Sequence, residues 1–151
     1  RLQTVLNEEW AARAEALPYQ TPYEALTMAS IVEKETGLAS ERETIAGVFV
    51  RRLQKNMKLQ TDPTVIYAMG KTFNGNIRKK DLSIDSPYNT YRYRGLPPSP
   101  IALAGREAIH AALHPEDGKA LYFVSKGDGS HHFSETLQEH NRAVAKYQLK
   151  R

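Results

Sequence analysis

Cysteine is missing from this chain of 151 residues. Its absence removes thiol nucleophiles, Cys-ligated zinc, iron–sulfur clusters, redox CxxC pairs and any disulfide framework. The compartment stays open, because a cysteine-free chain suits the cytosol and the periplasm equally. Long apolar runs are missing too: nothing approaches the roughly 18 residues of a membrane span, and no secretory signal opens the sequence. Charge of one sign is in short supply. Lys and Arg number 21 and Asp and Glu 17, so the net charge of +4 fits an acidic polymer partner but is equally ordinary solubility charge. The serine-hydrolase patterns G-x-S-x-G and S-x-x-K do not occur, and Gly70-Lys71-Thr72 imitates the end of a phosphate loop with Val65 where its first glycine belongs.

What is present is a globular balance, 40% hydrophobic and 25% charged residues, in a length that suits one domain over 1–151. At this size roughly 68–70% of the unfolded chain's surface is buried on folding, so neither metal nor disulfide is needed for stability. The start at Arg1, already in helical pattern, points to a C-terminal piece of a longer protein.

Leu2, Val5, Leu6 and Trp10 at helical spacing predict an amphipathic helix over 1–17, before Pro18. Thr21-Pro22-Tyr23-Glu24 is a capping box with proline in the first turn, and Gly37 a stop, giving a helix over 22–36. Ser40-Glu41-Arg42-Glu43 repeats the box and starts a third helix, which runs to Asn56. Asp62 caps and Pro63 starts a short helix closed at Gly70. Periodicity then vanishes from Lys71 to Pro100, and a structureless run of that length is usually a functional surface. A helix over 101–113, a hairpin of 121–124 with 131–133, and a helix over 135–150 complete an α+β, lysozyme-like, mainly helical domain with a small β-hairpin.

One carboxylate is out of place. At about 100° per residue from Ala25, Met28, Ile31 and Val32 fall near 300°, 240° and 340°, and Glu35 falls at about 280° among them. Lys34 points the opposite way and Glu33 lies at the margin. A carboxyl on an apolar face, at the negative end of a helix, resists ionisation and suits a general acid, as lysozyme's buried glutamate does. The plainer alternative is a helix-end ion pair with Arg42 or Lys34.

Gln60-Thr61-Asp62-Pro63-Thr64 offers amide, hydroxyl and carboxylate groups, with ordinary N-capping as its plainer explanation. Tyr88-Asn89-Thr90-Tyr91-Arg92-Tyr93-Arg94-Gly95 interleaves aromatic and polar residues; it suits sugar rings, single-stranded nucleic acid, or a solvated loop with packed tyrosines. Leu96-Pro97-Pro98-Ser99-Pro100 stiffens the end of this loop into a fixed wall. His110 and His114 stand four apart, but no Glu follows His110 as H-E-x-x-H requires, and no metal is expected. His131 and His132 alternate across a strand, so at most one enters a site.

These blocks together resemble the MltG/YceG-type endolytic murein (lytic) transglycosylases. The resemblance rests on Ala29-Ser30-Ile31-Val32-Glu33-Lys34-Glu35, Leu59-Gln60-Thr61-Asp62-Pro63-Thr64-Val65-Ile66-Tyr67, Tyr88-Asn89-Thr90-Tyr91, Gly95-Leu96-Pro97-Pro98 with Pro100-Ile101, and Leu121-Tyr122-Phe123-Val124, in that order along the chain. It implies cleavage of the β-1,4 bond from N-acetylmuramic acid to N-acetylglucosamine in peptidoglycan, leaving a 1,6-anhydro-muramoyl end. The family's essential glutamate matches Glu35, the residue that helical geometry selects. Glu35 then serves as acid and afterwards as base for the muramoyl C6 hydroxyl, with no cofactor and no water consumed. Candidate substrate contacts are Gln60, Thr61, Asp62, Tyr88, Asn89, Thr90, Tyr91, Leu96 and Pro98. The resemblance further implies an upstream inner-membrane anchor and LysM-like module, a place on the periplasmic face, peptidoglycan strands as substrate and penicillin-binding synthases as partners, and no nucleic-acid partner. Two rivals stay open: a two-carboxylate muramidase using Glu35 with Asp62 or Glu33, and a nonenzymatic nucleic-acid-binding module on the Tyr/Arg loop.

Overall fold

The computed structural model describes residues 1–148. Six helices and one hairpin follow in order among them: α1 (Leu2–Ala11), α2 (Pro22–Glu35), α3 (Arg42–Gln54), α4 (Asp62–Met69), α5 (Arg106–Leu113), β1 (Tyr122–Ser125), β2 (His131–Ser134) and α6 (Leu137–Tyr147). Helix α2 is the central post. Its Ala25, Met28, Ala29, Ile31 and Val32 are fully buried against Ala108, Ile109, Ala111, Ala112 and Leu113 of α5 and Ile45, Ala46 and Phe49 of α3. The many alanines at the α2–α5 contact shorten the side chains between the axes, which lets the two helices approach closely.

Several helices start later or stop earlier than their periodicity predicts, and at α1 and α5 a tertiary hydrogen bond captures the backbone. Helix α1 ends at Ala11 rather than residue 17, because the chain turns toward α5: Ala14 N–H donates to Leu113 O at 3.0 Å and Tyr19 Oη–H to Ala112 O at 3.0 Å. These bonds satisfy carbonyls that a helix C-terminus leaves open. Helix α5 begins at Arg106 rather than residue 101, since Ile101 N–H is held by Ser30 Oγ at 3.0 Å and Gly105 N–H by Glu33 Oε1 at 2.9 Å, both from α2. The second capping box does not form. Ser40 sits in a 3-10 turn (Ala39–Glu41), and α3 starts at Arg42 without a side-chain cap and ends at Gln54, short of Asn56. The first box forms by half: Thr21 Oγ1 accepts from Glu24 N–H at 3.2 Å, while the Glu24 carboxylate accepts from Gln20 N–H at 2.7 Å rather than from Thr21. Helix α6 is capped by Thr136 and reaches Tyr147, while residues 149 and 150 of the expected helix lie outside the described residues.

The stretch from Lys71 to Pro100 is irregular apart from 3-10 turns at Gly70–Thr72 and Lys79–Ser83. Its middle is pinned by Asn89, whose Nδ2 donates to Leu82 O and Ile84 O and whose Oδ1 accepts from Tyr91 N–H. Strands β1 and β2 pair antiparallel, Tyr122 opposite Ser134 and Ser125 opposite His131. A two-stranded hairpin is marginal alone, and this one is docked by α3. Phe49 meets Phe123 edge to face at 5.6 Å, Arg51 Nε donates to Ala120 O, and Arg52 Nε donates to Leu121 O.

Gly47 of α3 is where residues leading to the hairpin press closest: a Cβ there would lie 2.6 Å from Glu116 O. Glu116 is tethered in place by its N–H to Glu43 O and its carbonyl to Arg51 Nη1. Alanine ordinarily gains about 1 kcal/mol over glycine inside a helix, but overpacking against fixed backbone costs roughly 1–3 kcal/mol. Gly47→Ala is therefore expected to lower the urea midpoint. A raised midpoint would show that residues 114–120 yield freely.

Candidate active site

Glu35 is the last residue of α2, and its neighbours Ile31 and Val32 are fully buried. The carboxyl emerges beside the start of α4, where Thr61 Oγ1–H donates to Glu35 Oε2 at 2.6 Å. No ion pair to Arg42 or Lys34 forms among the described residues. Burial pushes the Glu35 carboxyl above its ordinary value; the Thr61 hydrogen bond opposes this, the Asp62 charge adds to it, and His131 opposes it.

The capping expectation for the next segment fails in an instructive way. Thr61 occupies the cap position of α4, yet its hydroxyl goes to Glu35 and not to the helix, and Asp62 is already inside the first turn. Asp62 Oδ1 accepts from Tyr91 Oη–H at 2.5 Å. Burial and the neighbouring Asp62 carboxylate together push the Tyr91 phenol well up, so it remains a donor. Gln60, just before, has a left-handed backbone with φ of 51°, a conformation that costs a non-glycine residue energy and is often kept at functional sites.

Glu35, Gln60, Asp62 and Tyr91 line one cleft of about 510 Å³. Its floor is Val48, Phe49 and Arg52 of α3, and its far wall is β1 with His131, Leu137, His140, Val144 and Gln148. The sequence reading missed most of that wall. His131 is the hairpin histidine that enters. Its Nδ1 lies 2.9 Å from Glu41 Oε1 and its backbone N–H donates to Glu41 Oε2 at 3.0 Å, whereas the His132 ring lies tilted 5.8 Å from that of Tyr147. A carboxylate can only accept, so Glu41 fixes the proton on Nδ1 and leaves Nε2 as the other ring atom.

The other expected contact residues take different places. Asn89 and Thr90 are 0% and 2% exposed. Asn89 is saturated by backbone, and Thr90 Oγ1 accepts from Thr61 N–H at 3.0 Å and lies 2.8 Å from Thr64 Oγ1. Neither can grip a sugar; they shape the turn that presents Thr61 and Tyr91. Tyr88 is half-buried, its hydroxyl 2.6 Å from Ser99 Oγ and its ring 4.8 Å from Tyr67, and neither it nor Leu96 nor Pro98 lines the cleft. Leu96 packs against the core and Pro98 is exposed beside buried Pro97. The Tyr/Arg loop is internally engaged as well: Tyr93 donates to Asp85, Arg92 faces the same carboxylate at 3.5 Å, and Arg94 donates to Asn56 O. Glu33 holds the N-terminus of α5 through Gly105 and does not enter the cleft.

One group among the described residues has metal-ligand types together, Glu9 with His110 and His114. Glu9 is already bound by Arg106 and His110, and the two imidazoles lie face to face at 4.3 Å and 25°. Imidazole lone pairs lie in the ring plane, so near-parallel rings do not converge on one ion.

The chain matches the YceG-like family over residues 1–146. It is 52% identical over 125 residues to the endolytic murein transglycosylase of Bacillus subtilis (strain 168), covering 83% of this chain and 34% of that protein. Identity to the endolytic murein transglycosylase of Streptococcus pneumoniae serotype 2 (strain D39) is 36% over 132 residues, 84% of this chain and 24% of that one. The fold is similar to the 2.6 Å crystal structure of a putative YceG-like protein from Listeria monocytogenes, with a TM-score of 0.78 and 43% identity over 93% of this chain and 43% of that chain. This chain thus spans about a third or less of the two named transglycosylases. A match through nearly every residue, with a relative more than half identical, means that the chain belongs to the YceG-like family.

Proposed function

We propose that this domain is the catalytic part of an endolytic murein transglycosylase, cutting the bond from N-acetylmuramic acid to N-acetylglucosamine without water. The observation that carries this reading is a carboxyl disposed to hold a proton, Glu35, in a cleft of sugar-sized volume. The relatives' shared name, endolytic murein transglycosylase, supports the same substrate.

In this mechanism Thr61 Oγ1–H occupies Glu35 Oε2, so Oε1 carries the proton to the glycosidic oxygen. The C1–O bond breaks with oxocarbenium character at the muramoyl C1, and the N-acetylglucosamine side leaves as its 4-hydroxyl. The muramoyl C6 oxygen then attacks C1 while its proton passes to Glu35, which ends the cycle protonated. Attack from within the same sugar gains from proximity, so no second carboxylate is required to activate water. Asp62, held by Tyr91, places negative charge near the developing cation. Gln60 lines the cleft and is the amide there for a sugar hydroxyl, since Gln148 Nε2 is committed to Ser125 O. The periplasmic face of the inner membrane, an anchored full-length protein and the penicillin-binding synthases as neighbours complete the proposal, on the family resemblance.

Asp62 in the same cleft keeps the muramidase as the second reading, and products separate the two. Mass spectrometry of digested peptidoglycan is expected to show 1,6-anhydro-muramoyl ends; reducing ends, about 18 Da heavier through added water, would assign hydrolysis instead. Glu35→Gln is expected to lower the cleavage rate by roughly 10²–10⁴-fold with the fold retained. Substantial activity in that variant would remove Glu35 as the acid.

The same variant has a second, independent signature. A carboxyl raised in the folded state binds more protons folded than unfolded between its two values. Glu35 therefore stabilises fully below its unfolded value near 4.5 and loses that contribution as pH rises through the folded value. Glutamine cannot ionise, so the urea midpoint of Glu35→Gln is expected to gain on the wild type as pH rises above 4.5. A difference that stays flat with pH would mean an ordinary, hydrated carboxylate.

A further inference from the structure

Arg52 is a buried cation that the mechanism does not use. It is 6% exposed, it lines the cleft that Glu35 also lines, and among the described residues no carboxylate lies within 4.0 Å of it. Two of its three nitrogens are committed to backbone: Nε donates to Leu121 O at 2.7 Å and Nη1 to Lys58 O at 2.6 Å. Nη2 makes no hydrogen bond among the described residues. The guanidinium carbon sits 4.9 Å from the centre of the Tyr122 ring, on which His140 also stacks at 5.1 Å. Carbonyls and aromatic faces orient a guanidinium, but they do not neutralise it, and a buried charge without a counter-ion is costly. The ionisable groups of the cleft are thus sorted, with the carboxyls of Glu35 and Asp62 near α4 and the Arg52 guanidinium beside β1.

We propose that Arg52 is a specificity residue that binds a carboxylate on the substituent of the muramoyl sugar, through its uncommitted Nη2. The inference rests on the murein reading of the same cleft and adds to it which chemical feature of the strand is recognised. A peptidoglycan strand offers such a carboxylate from two sources, the stem peptide or, where the stem has been removed, the lactyl group itself. Guanidinium is the natural partner for either, as a charge-assisted hydrogen bond is roughly twice as strong as a neutral one. An anion held by Arg52 is kept from the Glu35 side by the Asp62 carboxylate, so the contact also sets which way round the strand lies.

The test measures strand binding in the Glu35→Gln protein, so it needs no turnover, with Arg52 intact or replaced as Arg52→Gln. Three probes are used: strands with stems, strands stripped of stems by an amidase, and strands whose carboxylates have been converted to amides with carbodiimide and ammonia. With Arg52 intact, carboxylate-bearing strands are expected to bind at least about tenfold more tightly than amidated ones, the size of one charge-assisted hydrogen bond. Arg52→Gln should abolish that preference. Tight binding of stripped strands assigns the lactyl carboxylate, and tight binding of stem-bearing strands alone assigns the stem. Equal binding of native and amidated strands with Arg52 intact overturns the proposal, and does so even if the variant fails to fold. A preference that survives Arg52→Gln overturns it too, since bulk charge would then be its source. Anhydro products from the active enzyme alongside either negative result would leave the murein reading standing and sink this inference alone.

Discussion

The hydrogen bond from Thr61 to Glu35 joins the end of α2 to the start of α4, and the candidate site is organised around it. Thr61 can lend its hydroxyl because its other polar groups are already satisfied. Its N–H goes to Thr90 Oγ1, and its carbonyl accepts from Thr64 Oγ1 at 2.8 Å. Helix α4 consequently starts with no side-chain cap, a loss of about 1 kcal/mol at a typical helix end. That local cost is accepted where it fixes the orientation of one carboxyl. The buried Asn89, which ties Leu82, Ile84 and Tyr91 together, holds Thr90 in the position the arrangement requires.

Opposing effects act on Glu35, and burial is the largest of them. A hydroxyl donor stabilises the ionised form, whereas loss of water, the helix C-terminus and Asp62 all favour the proton. A carboxyl that burial keeps protonated, with a hydroxyl donor ready for its ionised form, can give up its proton and take one back, which the two halves of a transglycosylation demand of a single carboxyl. A fully paired carboxylate could not begin the reaction, and a fully isolated carboxyl could not release its proton to the leaving oxygen.

Glu35 was legible in the sequence because helical periodicity alone puts it among Met28, Ile31 and Val32. The same arithmetic applied to α3 finds Arg52, three and four residues past Phe49 and Val48, on the apolar stripe of Ile45, Val48 and Phe49. Its charge hid it, since an Arg near a helix C-terminus has an ordinary explanation. The order of helices and the hairpin were also legible, as were the ends of α2 and α4, but those of α1 and α5 were not: they are trimmed by hydrogen bonds from residues about seventy to a hundred positions away. Asn89 and Thr90 read as sugar contacts because a polar side chain in a loop looks solvent-directed until the loop's own backbone is found to need it.

The far wall of the cleft depends on contacts that no local pattern contains. Strands this short do not hold position by their own pairing, and three independent ties fix them. Phe123 packs on Phe49, Arg51 and Arg52 reach the backbone before β1, and Glu41 grips both the ring and the N–H of His131. At the hairpin tip a fourth contact brings backbone to backbone. A Cβ on Gly37 would lie 2.9 Å from Gly129 O, so any larger residue in the turn after α2 would push the tip away. Glu41 and Gly37 both belong to the link between α2 and α3, only a few residues from Glu35. The segment that ends the acid's helix therefore also positions the opposing wall, and a shift in one moves the other. Cleft width and the seating of the carboxyl are in this way a single structural variable.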